Sequence, residues 1–201
     1  MKNIMALILI GVFLSFPSLS YCRGLMGNVN FFLGKKQSDD DGLKELDLKT
    51  AGEFGLMMDF KDRYWPVSLE IDLFMSSAED IAKDIFDDVR ATRSTDEVGF
   101  GFRKYFVWRK TLGPFIGAGV AYIHGVVKEE DRANNKTYRA SGSTLGPWVN
   151  LGFQFKGSSG INFGLIIRQS YGEVELQGDN EKIKTQAGGK HVGIFIGLSF
   201  D

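Results

Sequence analysis

The chain has a single cysteine, Cys22, in 201 residues, which excludes an intramolecular disulfide framework and any site built on several thiolates. Two histidines are too few for a histidine-rich metal centre, and no metal or cofactor is expected. Neither sign of charge dominates: 24 Lys and Arg stand against 25 Asp and Glu, a net charge of −1. A chain so balanced lacks the basic surface that nucleic acid requires. Proline is scarce at 4 and glycine abundant at 25, a combination that fits neither collagen nor a disordered linker. No apolar run reaches the roughly 20 residues of a membrane-spanning helix.

What is present begins with an address. Lys2 supplies a positive start, Ile4 to Phe16 is an almost unbroken apolar run, and Pro17 ends it. Ser18, Ser20 and Cys22 are small residues at the spacing read by signal peptidase, so 1–22 is expected to be a cleaved signal peptide and 23–201 the mature domain. Cleavage after Ser20 and cleavage after Cys22 both fit. Tyr21 before Cys22 disfavours lipidation, because a small residue is needed there. The protein is expected to leave the cytoplasm.

Period-two alternation dominates the remainder. Val192, Ile194, Ile196, Leu198 and Phe200 share one face, with Gly193, Phe195, Gly197 and Ser199 on the other. The same pattern sets Val67, Leu69, Ile71 and Leu73 against Ser68, Glu70, Asp72 and Phe74, and Phe54, Leu56, Met58 and Phe60 against Glu53, Gly55, Met57 and Asp59. It recurs around Val29, Phe31 and Leu33; around Val98, Phe100 and Phe102; at Val149, Leu151, Phe153 and Phe155; and at Ile161, Phe163, Leu165 and Ile167. An eighth strand runs from Phe115 to Val126, with Ile116, Ala118, Val120 and Tyr122 read as pointing outward. The connections alternate between long and short, roughly 10, 6, 20, 9, 17, 4 and 15 residues, as in an up-and-down barrel with its long loops at one end.

Alternation does not by itself say which face is wet. Some thirty large apolar side chains would overfill the interior of an eight-stranded barrel, so they are assigned to lipid. The other face carries glycine, small polar residues and a few charges of both signs, Glu53, Asp59, Glu70, Asp72 and Glu97 against Arg103 and Arg168. Such a set suits a narrow interior in which charges must pair. Aromatic residues gather at the strand ends: Tyr64, Trp65, Phe106 and Trp108 by the short turns, and Tyr122, Tyr138, Trp148 and Tyr171 toward the long loops. These are expected to form two interfacial girdles. The fold class is all-β, an eight-stranded antiparallel up-and-down transmembrane β-barrel.

The leader, the run Gly113-Pro114-Phe115-Ile116-Gly117-Ala118-Gly119-Val120-Ala121-Tyr122, and the final strand His191 to Phe200 together resemble the small outer-membrane β-barrel family of Gram-negative bacteria, the OmpA/OmpX/OmpW-type barrels. The resemblance implies residence in the cell outer membrane, contact with membrane lipid and lipopolysaccharide, and insertion by the barrel-assembly machinery. A monomer is favoured.

Chemistry is sparse. A lipid deacylase would place His and Ser two apart on one strand, but His124 is followed by Val126 and His191 by Gly193. A Ser-His-acid set drawn from separate segments stays open, with Ser141, Ser143 and Ser170 near long-loop ends. The expectation is no enzyme, and a structural or surface-interaction role with long loops outside. A narrow solute channel is the alternative, and a lipid-modifying enzyme a remoter one. Asp39-Asp40-Asp41-Gly42 reads as a solvated acidic loop, lacking the alternate ligands of a calcium loop. Lys44, Lys128, Arg132, Lys136 and Arg139 either meet lipopolysaccharide phosphates or keep the loops soluble. Ile81, Ile85, Phe86 and Val89, with Ser76 and Glu79 as a cap, predict a short amphipathic helix on the rim.

Overall fold

The computed structural model describes residues 24–38, 49–83, 88–106, 111–131, 136–177 and 182–200. The leader, the acidic run at 39–42, Lys44, Trp108 and Arg132 lie outside the described residues. Ten strands follow one another: β1 Leu25–Gln37, β2 Thr50–Asp62, β3 Ser68–Lys83, β4 Asp88–Tyr105, β5 Leu112–Asp131, β6 Lys136–Lys156, β7 Ile161–Ser170, β8 Glu173–Gln177, β9 Lys182–Gln186 and β10 Gly189–Phe200.

Eight of them close a barrel. Each of β1 to β6 pairs antiparallel with the next, and β10 pairs with both β7 and β1, so that among the described residues these eight strands close on themselves. Closure is what a spanning sheet requires, because lipid offers no partner to a free N–H or C=O. The chain enters and leaves at the same end, with Gly27 opposite Phe200. β8 and β9 form a hairpin between β7 and β10 that joins the wall through the pair Ser141 and Gln177.

The alternation decides the facing. On β7, Ile161, Phe163, Leu165 and Ile167 point out while Asn162, Gly164, Ile166, Arg168 and Ser170 point in. On β5 the outward set is Ile116, Ala118, Val120 and Tyr122, as the sequence led us to expect. Leu165 is 57% exposed and Ile194 56%, on a wall where apolar exposure is the rule. Such a continuous apolar girth has no place in water. It is a lipid-facing band, and the barrel is transmembrane.

Two expectations change. Residues 76–83 and 88–89 are strand and not helix: β3 and β4 continue as a paired ribbon, with Ile81 opposite Arg90 and Lys83 opposite Asp88. Ile81 and Val89 are strand residues, and Ile85 and Phe86 lie outside the described residues. Four apolar positions are too few to separate a helical period from a strand, and it is the ladder between β3 and β4 that decides for strand. Much of the expected long loops is therefore strand. β5 and β6 likewise stay paired as far as Asp131 and Lys136.

Candidate functional site

The inward face of the strands builds the site. Near the short turns, Arg103 bonds Glu70 through both Nε, at 3.1 Å, and Nη2, and lies 3.4 Å from Asp59 Oδ2. Tyr105 donates its hydroxyl to Asp59 at 2.7 Å, Asn28 donates to Asp59 at 3.0 Å, and Asn150 donates to Glu70 at 3.0 Å. A second guanidinium, Arg168, meets Asp72 at 2.5 Å and lies 3.8 Å from Glu97. Between these groups packs an apolar cluster of Phe32, Met57, Phe74, Phe115, Ile166 and Phe195. Arg103 lies over the Phe115 ring at 4.5 Å and Arg168 over Phe74 at 4.8 Å, so the two cations bracket the cluster.

Glycine makes room for these rings. A Cβ at Gly152 would meet Phe115 at 2.5 Å, and one at Gly55 would meet Phe74 at 2.6 Å. These two glycines therefore sit under aromatic side chains.

Toward the extended end, His191 Nδ1 lies 2.8 Å from Glu53 and its Nε2 2.9 Å from Ser170 Oγ. Glu97 receives Lys36 Nζ at 2.5 Å and stands 3.4 Å from His191. All seven expected interior charges, Glu53, Asp59, Glu70, Asp72, Glu97, Arg103 and Arg168, are buried inside the barrel. Sequence reading overlooked Lys36, Arg93 and His191 as members. Each has the parity of its strand's inward set, Lys36 with Asn30 and Phe32, Arg93 with Glu97 and Arg103, His191 with Phe195. Following that parity past the apolar stretch would have found them.

The β8–β9 hairpin plugs this end. Val174 and Ala187 pack with Ala121, Ile123 and Trp148, Lys36 donates to the Ala187 carbonyl at 2.8 Å, and Arg93 donates to the Gln186 carbonyl at 2.6 Å. Replacing Arg93 with methionine should speed hydrogen exchange of amides around Gln186 by at least about tenfold, the loss expected for a bond from a charged donor. Amides of β4 between Glu97 and Arg103 should keep their protection. Equal acceleration in both places would show that Arg93 supports the whole barrel and not the hairpin.

The aromatic residues divide. Tyr64 and Trp65 are exposed at the turn between β2 and β3, Tyr122 points outward on β5, and Tyr171 is exposed just after β7. Trp148 corrects the expectation: it is inside, 1% exposed, bonded to the Val120 carbonyl at 3.1 Å and covered by Arg168 at 4.4 Å. Its parity matches Asn150 and Gln154, and a ring this large fills the bore above Gly101. At the opposite mouth a cavity of about 210 Å³ is lined by Asn28, Asp59, Lys61, Tyr105, Gln154 and Lys156. On the β3–β4 ribbon outside the band, Arg90 meets Glu79 at 2.5 Å, and that hydrogen bond raises its pKa further.

No protein-family model matches the chain, and no curated protein matches it in sequence. Solved structures do match in shape. A major outer membrane protein from Thermus thermophilus shares 8% identity, with 88% of this chain and 99% of that chain covered and a TM-score of 0.61. Ail, the attachment invasion locus protein of Yersinia pestis, in complex with the heparin analogue sucrose octasulfate, shares 14% over 88% of this chain and 99% of its own, with a TM-score of 0.58. Ail without that ligand gives 15% identity, the same coverages and a TM-score of 0.52. Identities this low speak for the fold alone.

Proposed function

Since the chain has the fold of the bacterial outer-membrane barrels, we propose that it resides in the outer membrane as a sealed barrel with a structural and surface-interaction role. The leader 1–22 is removed on export, the barrel-assembly machinery inserts the chain, and a single copy suffices because the sheet closes on itself. The short turns face the periplasm and the paired hairpins stand outside. What carries the reading is the filled bore: the bracketed aromatic cluster and the latched hairpin occupy the space a solute would need.

At the outer end Lys128 and Arg139 are direct cross-strand partners, both exposed on the outer wall. They are placed to meet phosphate or sulfate on lipopolysaccharide or on a host surface. The sulfated sugar held by Ail supports a polyanion as the partner class.

Planar-bilayer recording tests the sealed bore. Purified protein should leave the bilayer silent, and removal of the hairpin latch by Arg93→Met should bring transient openings. Steady single-channel steps from the unaltered chain, changed by Arg103→Ala and Arg168→Ala, would install the channel reading in its place.

A further inference from the structure

The strand register brings together three residues that lie far apart in sequence. Asp96 on β4 is opposite His124 on β5, and His124 is opposite Ser143 on β6. All three have the outward parity of their strands. Ser143 Oγ lies 2.9 Å from His124 Nδ1, and the Tyr122 hydroxyl donates to the same oxygen at 2.8 Å. With that donor in place, the serine proton is free to go to His124 when the ring carries its own proton on Nε2.

Position gives the row its meaning. Just below it, the register aligns Val98, Tyr122 and Leu145, the last apolar row on these strands toward the outside. Leu145 is 73% exposed and Tyr122 48%. The row of Asp96, His124 and Ser143 is therefore the first polar one above the lipid band, where the ester linkages of acyl lipids lie. Two rows further out stand Lys128 and Arg139, about 13 Å along the strands, within reach of an anionic headgroup.

We propose that Ser143, His124 and Asp96 form an esterase site for acyl esters of outer-leaflet lipids bearing anionic groups. Ser143 Oγ attacks the ester carbonyl carbon while His124 Nδ1 takes its proton. Tyr122 turns its hydroxyl from Ser143 to the oxyanion. The carbon–oxygen bond to the lipid alcohol breaks, and the alcohol leaves with the proton from His124. Water then attacks the acyl-Ser143 ester, giving its proton to His124, and the fatty acid departs as Ser143 regains its hydrogen. Asp96, opposite His124 in the register, is a positioning residue for the ring.

The interior trio of Ser170, His191 and Glu53 has similar spacing but a different fate. It is sealed under the hairpin, and Glu97 lies 3.3 Å from Ser170 Oγ, where it would oppose an oxyanion. The outer row opens directly onto the bilayer.

The test uses the full chain in vesicles of phosphatidylethanolamine, and separately of lipopolysaccharide, with a fluorophosphonate probe. Mass spectrometry should find the probe on Ser143. Ser143→Ala should abolish the adduct, His124→Gln should cut its rate at least tenfold, and Ser141→Ala should label like the parent. Free fatty acid should accumulate from one vesicle type or from both, which identifies the lipid source. Asp96→Asn should lower the kcat of fatty-acid release and leave KM nearly unchanged, a split that a merely structural role would not give. Folding of each variant is read from its compact mobility on unheated gels. A folded barrel with no Ser143 adduct overturns the proposal, as does fatty-acid release that survives Ser143→Ala or release from neither vesicle type.

Discussion

Arg103→Met should destabilise the barrel by about 3–5 kcal/mol, the cost typical of breaking a buried ion pair by removing one partner. Methionine preserves much of the volume and can still pack on Phe115, so the loss reports charge and not a cavity. Arg103 is 1% exposed and is held by Glu70 on two nitrogens, with Asp59 beside it. Without it, two carboxylates remain inside a low-dielectric bore, with Asn28, Asn150 and Tyr105 as neutral donors. Urea unfolding in detergent, followed by the shift between compact and extended gel mobilities, measures the change. Arg103→Lys should recover only part of the loss, since an ammonium cannot reproduce the guanidinium fork. Adding Glu70→Gln to Arg103→Met should restore stability, because one of the stranded charges is gone. A loss under about 1 kcal/mol would mean that the pair behaves like an exposed one.

The second large effect belongs to the opposite face. Leu165→Arg should cost about 2–4 kcal/mol, as a cation at mid-depth of the lipid face does, while Gln169→Arg on the same strand should cost about 0–1. Leu165 is flanked by Ile194 and Phe153 on the neighbouring strands, and Gln169 lies past Ile167 at the outer end of β7. Unfolding from phosphatidylcholine vesicles measures both. Equal costs at the two depths would remove the argument that this band meets acyl chains.

These effects follow from parity, and parity was legible early. Glu70 and Asp72 alternate with Leu69, Ile71 and Leu73, so a single registration of β3 decides all five. The same rule carried information that was not used. Trp148 was drawn to the girdle by its residue type, although Asn150 and Gln154 gave it inward parity. The ribbon of 76–83 and 88–95 was obscured because short apolar spacings fit two periods, and only pairing across β3 and β4 separates them.

By itself the sequence determined the number of barrel strands and the faces they turn to lipid and to the bore. Each of these depends on neighbours along one chain, where a two-residue period is enough. The meeting of Lys36 with Glu97, of His191 with Glu53, and of Ser143 with His124 was decided by tertiary structure alone. Those contacts join residues 61, 138 and 19 positions apart, and their existence depends on strand register and barrel closure. A slip of two residues would preserve every face and break every one of these pairs.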